Sequence, residues 1–250
     1  MLKTTQPKVY RVEDQTTLST VIAELGIKAG RSTLVLVGGA SKLDEVAFAR
    51  VRSLFSDVLV PLAAEQNLTV VDGGTDAGIM KMVGEARDAA QHSFPLIGVA
   101  PSGLVSLPTA PSTHPDAADI ERHHTHCILI PGDEWGDESP WIARIASAIA
   151  QDKPSIAVLV NGGQVTWTDA QCNIEAGRRV VVVGGSGRTA DILARALNSA
   201  SSNEQSSGSL NDSQVDERTP FLVNSGLMSS VDLNSSSEVL KRSLSELLSQ

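Results

Sequence analysis

At 250 residues, 41% of them hydrophobic, the chain carries enough apolar material to close a sizeable core, and disorder throughout is excluded. A formal net charge of -9 would repel nucleic acid over most of the surface, whereas a nucleotide needs only a local cleft of donors. Cys127 and Cys172 are too few for a disulfide scaffold and point to a reducing, cytoplasmic compartment; no run approaches the ~18 apolar residues of a bilayer span, so direct membrane insertion is not expected.

Taken in chain order, residues 8–14 suit an edge strand and TTLSTVIAELGI carries a helical apolar pattern ending near Gly26. A strand over 33–37 is followed by a long helix over 43–66, broken near Pro61, and a strand over 68–71. The alternation continues with a helix over 78–90 and a strand over 96–99. Residues 101–122, with four prolines, are too long for an ordinary connection and form a candidate ligand lid. A strand over 126–130, a helix over 140–151, a strand over 156–160, a helix over 166–176, a strand over 179–183 and a helix over 189–198 complete the series. Short, nearly continuous apolar strands separated by helices predict an α/β, Rossmann-like three-layer fold with a mostly parallel sheet of about six or seven strands.

The expected domain is residues 1–198, with 1–30 as an N-terminal extension. Residues 199–219 have the Ser/Asn-rich composition of a linker. Residues 220–250 form a short C-terminal segment with a packed strand and an amphipathic helix whose leucines recur at 240, 244, 247 and 248. That helix docks on its own subunit, on a partner, or on a second copy.

Four predicted strands end in glycine: LVLVGGAS, VVDGGTDAGIM, ILIPGDEWG and VVVVGGSGRTAD. Such loops let backbone N–H groups close on an anion at a helix N-terminus. Their repetition at strand carboxyl ends predicts a phosphate-bearing ligand there. The candidate contacts are Gly38, Gly39 and Lys42; Gly73, Gly74, Thr75, Gly78, Ile79 and Met80; Pro101 and Gly103; Gly132, Asp133, Glu134, Trp135 and Gly136; and Gly185, Ser186, Gly187 and Arg188. Lys42 and Arg188 either meet phosphate or are exposed cations at helix starts, and Trp135 stacks on a ring. The acidic residues of 133–138 either bind ribose hydroxyls and orient water or simply favour the first turn of the following helix.

The specific motifs of other nucleotide chemistries are missing. GGASK is not the G-x-G-x-x-G of a dinucleotide-binding dehydrogenase, and neither GKS nor GKT is present. No GxSxG stands in the chain, which disfavours a serine hydrolase. His123, His124, His126 and Cys127 cluster without the spacing of a zinc site, and no metal is expected; His126 either contacts the ligand or packs structurally.

The ordered series GGASKLD, VVDGGTDAGIMKMVGEA, IGVAPSG, HHTHCILIPGDEWGDES, VLVNGG and VVVVGGSGRTADILA resembles the SLOG superfamily, specifically its prokaryotic branch similar to the amino-terminal cytosolic domain of TRPM ion channels. The resemblance covers about residues 30–197. It implies a ligand derived from a nucleotide, such as ADP-ribose, NAD, cyclic ADP-ribose or AMP, no required cofactor, and a homo-oligomer, dimeric or higher, in which an effector protein reads the bound state. It is also similar, more distantly, to LOG-type (lysine decarboxylase-like) phosphoribohydrolases with their PGGxGTxxE signature. Here PGDEWGDES departs from that signature, and Glu138, with Glu134 beside it, falls near the expected catalytic carboxylate. The sequence therefore points to a cytosolic sensor domain, with a nucleotide N-glycosidase and a non-catalytic assembly module as the alternatives.

Overall fold

The computed structural model describes residues 6–13, 17–202 and 216–249. Strand β1 (Lys8–Arg11) precedes the short helix α1 (Leu18–Leu25), whose first turn is capped by the Thr17 hydroxyl and whose end is closed by Gly26. In strand β2 (Thr33–Gly38), Leu34 and Leu36 enter one apolar core while Val35 and Val37 enter the other. A strand buried on both faces must be covered on both sides, which is the physical origin of the three layers.

Helix α2 (Glu45–Ser53) runs through a π-helical stretch, Leu54–Leu59, into α3 (Val60–Glu65). The predicted break near Pro61 does not occur. Pro61 has no N–H to donate, and the preceding Val60 N–H bonds five residues back to Phe55, so the chain absorbs the proline by widening the helix. This keeps Leu54, Phe55, Val58 and Leu59 buried together.

There follow β3 (Thr69–Asp72), α4 (Gly78–Ala89), β4 (Leu96–Pro101), the two-residue strands β5 (Val105–Ser106) and β6 (Ala118–Asp119), and β7 (His126–Ile130). Then come α5 (Ser139–Ala150), β8 (Ser155–Val160), α6 (Gln164–Glu175), β9 (Arg179–Gly184) and α7 (Arg188–Ser202), the last extending past the expected end at 198. After residues 203–215, the bulk of the expected linker, which lie outside the described residues, come α8 (Thr219–Asn224), β10 (Met228–Asp232) and α9 (Ser237–Leu247).

All neighbours in the main sheet are parallel, in the order β1-β7-β4-β3-β2-β8-β9-β10. The sheet thus has eight strands where six or seven were expected. The C-terminal β10 pairs with β9 from Met228 opposite Val180 to Asp232 opposite Gly184. Helices α1, α5, α6, α7 and α8 cover one face; α2, the π-helical stretch, α3, α4 and α9 cover the other. Leu240, Leu244 and Leu248 bury in that second core, and Lys241 pairs with Glu65, so the tail helix docks on its own chain. Among the described residues, no helix is long and apolar enough to cross a membrane.

Candidate functional site

From β2 the chain steps through β3, β4 and β7 toward one edge, then returns to place β8 on the other side of β2 and steps outward through β9 and β10. This reversal splays the loops after β2 and β8 apart, opening a crevice at the carboxyl ends of the strands. A cleft of about 450 Å³ lies there. Gly38 and Gly39 border it after β2, Gly73 and Thr75 after β3, and Gly163 and Gln164 after β8, with Arg188 from the start of α7. Met80, Trp135 and Ile142 give it an apolar wall; Glu138 and Asp169 give it two buried carboxyl groups, and Asp116 an exposed third at its rim.

Close contact between the central strands sets the cleft's edge. Gly38 sits at φ +124°, and a Cβ there would stand 1.9 Å from the carbonyl oxygen of Val160. That oxygen accepts the Gly39 N–H at 3.0 Å, so the loop leaves the sheet only after pairing one residue beyond β2.

Residues 101–122 are stitched down at both ends. Gly103 N–H bonds Gly132 O at 2.9 Å, Asp76 N–H bonds Asp119 O at 2.7 Å, and Glu121 N–H bonds Gly74 O at 2.9 Å. The segment also brings Asp116 and Ala118 to the cleft rim. Under its return leg lies a buried network. Asp72 Oδ1 accepts from Gly74 N–H and from His124 Nε2, both at 2.8 Å, while His124 Nδ1 bonds Glu121 Oε2 at 2.8 Å and Glu121 Oε1 meets His123. Burial by itself would lower the His124 pKa, but the Asp72 and Glu121 carboxylates on its two nitrogens outweigh burial and raise it to about 9. His124 is therefore a buried cation joining the glycine loop after β3 to the end of the 101–122 segment. Among the described residues no group of three or more His, Cys, Asp or Glu side chains is arranged to hold a metal.

Two of the cleft's carboxyl groups, Glu138 and Asp169, are buried. Glu138 immediately precedes α5, is 8% exposed, and accepts the Gly136 N–H at 2.8 Å. Burial raises its pKa, N–H bonds from Glu138 itself and Gly136 oppose the rise, and Asp137 adds to it. Asp169, on α6, accepts the Ser139 hydroxyl at 2.6 Å. Burial raises its pKa to about 7, against the Ser139 hydrogen bond and with the help of Glu138. Between pH 3.8 and about 7 the unfolded chain ionises Asp169 while the folded chain holds its proton, so this residue weakens the fold as pH rises through that window. Asp169→Asn is accordingly expected to raise Tm at pH 8 and leave it nearly unchanged at pH 4 in paired thermal melts. An equal effect at both pH values would contradict the assignment.

Of the residues selected from sequence, the cleft brings together Gly38, Gly39, Gly73, Thr75, Met80, Trp135, Glu138 and Arg188. Gly74, Gly78 and Ile79 shape the loop and helix start behind Gly73, with Ile79 buried in the core. Lys42 lies in a neighbouring cleft. Pro101 ends β4, and Gly103, Gly132 and Gly136 belong to loops beyond the strands; none of the four lines the cleft. The Asp133 and Glu134 backbone N–H groups both bond Asp137 Oδ2 at 3.1 Å, and their side chains are exposed, so of the two candidate glutamates Glu138, not Glu134, lines the cleft. Gly185 borders a different cleft, and Gly187 packs on Asn161. Buried Ser186 donates to Val183 O and accepts the Asn161 N–H. His126 begins β7, at the end of the sheet opposite the cleft, where its Nδ1 meets the Thr125 hydroxyl. Sequence reasoning missed Gly163, Gln164 and Asp169. The VLVNGG junction was a signal for the first two, whereas Asp169 reads as an ordinary helical acid until α5 packs on α6.

A family model described as "SLOG in TRPM, prokaryote" matches residues 31–241. The chain is 27% identical over 229 residues to the transient receptor potential cation channel subfamily M member 2 of Mus musculus, covering 75% of this chain and 15% of the channel. It is 28% identical over 200 residues to the transient receptor potential cation channel subfamily M member-like 2 of Nematostella vectensis, covering 65% of this chain and 13% of that protein. The chain thus spans only a small part of the length of these curated relatives.

Proposed function

Because the chain belongs to the family of SLOG domains in TRPM, prokaryotic branch, we propose that its strand-end cleft binds an ADP-ribose-like or NAD-derived nucleotide and acts as a sensor. The observation that carries this reading is convergence: three glycine-bearing strand ends, a guanidinium, an aromatic ring and three carboxyl groups, two of them buried, border one cleft at the reversal of strand order. Arg188 suits phosphate, together with backbone N–H groups of the glycine loops other than those of Gly39 and Gly163, which bond Val160 O and Thr166 Oγ1; the carboxyl groups suit ribose hydroxyls, and Trp135, 38% exposed, offers a face to a base. The lid segment is bonded directly to the Gly74–Asp76 backbone, so a ligand that moves the glycine loop would move the lid, for a second copy or an effector protein to read.

Calorimetric titration with ADP-ribose, NAD, cyclic ADP-ribose and AMP, with chromatography of the mixture afterwards, tests the reading. Binding of one of them and its recovery unchanged is the expected result; no binding by any would overturn it. Arg188→Asn, which tolerates the φ of +52° at this position, is expected to weaken binding about 10- to 100-fold, as loss of a charged hydrogen bond does. Wild-type affinity in that variant would remove Arg188 from the site.

A nucleotide N-glycosidase reading has its own observation in the two buried carboxyl groups that line the cleft, Glu138 and Asp169. One carboxylate would take a proton from water as its oxygen attacks the anomeric carbon, while the other, as an acid, protonates the departing base. Release of adenine and ribose 5-phosphate from AMP, lost in Glu138→Gln, would select this reading over the sensor.

A further inference from the structure

Next to the first cleft lies a second of about 420 Å³, and Gly163, Gln164 and Arg188 border both. The two differ in electrostatic character. The first carries Asp116, Glu138 and Asp169 against one cation, Arg188. The second is bordered by Lys42, Arg188 and Arg195 with one acid, Asp191. Asp191 Oδ1 is already engaged, accepting the N–H groups of Gly185 at 2.7 Å and Gly187 at 3.1 Å. None of Lys42, Arg188 and Arg195 pairs with a carboxylate within the described residues. In a chain with 29 acidic and 20 basic residues, three unpaired cations around one opening run against the overall charge.

The junction between the clefts is built around Arg188. Its Nη1 donates to the Ser41 hydroxyl at 2.6 Å, and a Cβ on Gly163 would stand 3.1 Å from Nη2, so the glycine leaves room for the guanidinium. Helices α6 and α7 both begin at this junction, adding the partial positive charge of their first turns to the three side chains. Arg195 also borders a cleft at the ends of β9 and β10, but Asp232 there is taken by the backbone and side chain of Asn234.

We propose that the second cleft is an anion subsite for a phosphomonoester carried by a nucleotide seated in the first. This rests on the nucleotide reading above and narrows its ligand to nucleotides with a phosphate remote from the one at the glycine loops. Arg188 touches both halves, while Lys42 and Arg195, which do not border the first cleft, serve only the added phosphate.

Calorimetric titrations with two pairs of probes that differ by one phosphate, NAD with NADP and AMP with adenosine 3′,5′-bisphosphate, test this on the full chain. In wild type the added phosphate is expected to strengthen binding about tenfold or more in at least one pair. Lys42→Gln/Arg195→Gln should erase that gain and leave NAD and AMP within about twofold of wild type, with an unchanged melting temperature. Equal affinity within both pairs, or a variant that weakens both members of a pair alike, would overturn the subsite while leaving the first cleft intact. Failure of wild type to bind any of the four would overturn the nucleotide reading and the subsite with it.

Discussion

Replacing His124 with phenylalanine is expected to cost the fold about 3–5 kcal/mol at neutral pH, because it strips the shared cation from two buried carboxylates. Asp72 is 0% and Glu121 1% exposed, and water cannot replace the imidazolium between them. The pH dependence identifies the interaction. The His124 pKa stands near 9 in the fold against an ordinary 6.5, so its stabilisation is full below about 6.5 and is lost as pH rises through about 9. Wild-type Tm should therefore drop between about pH 6.5 and pH 9 more steeply than that of His124→Phe, and the two melting curves should converge above that range. Parallel pH profiles would show that the residue packs as a neutral ring. The variant should also release the lid, since Glu121 and Gly74 meet across this network, and hydrogen exchange at the Glu121 N–H should rise with it.

Gly38→Ala is expected to lower stability by about 4 kcal/mol, from overpacking and from a φ that side chains disfavour. Its new methyl would fall 1.9 Å from Val160 O, a backbone atom fixed by the central β2–β8 ladder. At the size of this chain that corresponds to a Tm loss of roughly 10 °C. Because the same residue borders the cleft, the surviving folded protein should also bind nucleotide more weakly. Gly26→Ala is the control: its φ is +69°, nothing lies within 4 Å of the new methyl, and only about 1 kcal/mol of backbone strain is expected. Equal losses in the two variants would mean that strand contact at Gly38 contributes nothing beyond backbone conformation.

Much of the architecture was legible because the central strands are VLV-type runs buried on both faces, a pattern only a covered parallel sheet satisfies. The glycine junctions were legible for the same reason, each standing where such a run stops. Strand β10, MSSVD, was harder to bound: as a half-exposed edge strand it needs few apolar residues, and a helix, α8, occupies the apolar FLV just before it. The π-helical stretch was hidden because a proline after a helical pattern reads as a break, and only the tertiary burial of Leu54–Leu59 shows why the helix continues.

In the site, the misses share a cause. His124 finds Asp72 at a separation of 52 residues, and Asp169 finds Ser139 at 30, so neither role has a local signature. The HHTH cluster drew attention to His126, yet it is His124 that the network holds, because the polypeptide turns at 121–125 under the lid before β7 begins. Lys42 was selected for its place after a glycine loop, and its relation to Arg195 exists only once α7 packs beside α6.

The most direct test of the central claim is a crystal structure of the protein soaked with ADP-ribose. The account predicts density in the cleft between the ends of β2 and β8, with phosphate against the Gly73–Thr75 backbone and Arg188, ribose toward Glu138 and Asp169, and adenine on Trp135. Ligand density elsewhere on the molecule, with this cleft holding only solvent, would contradict it.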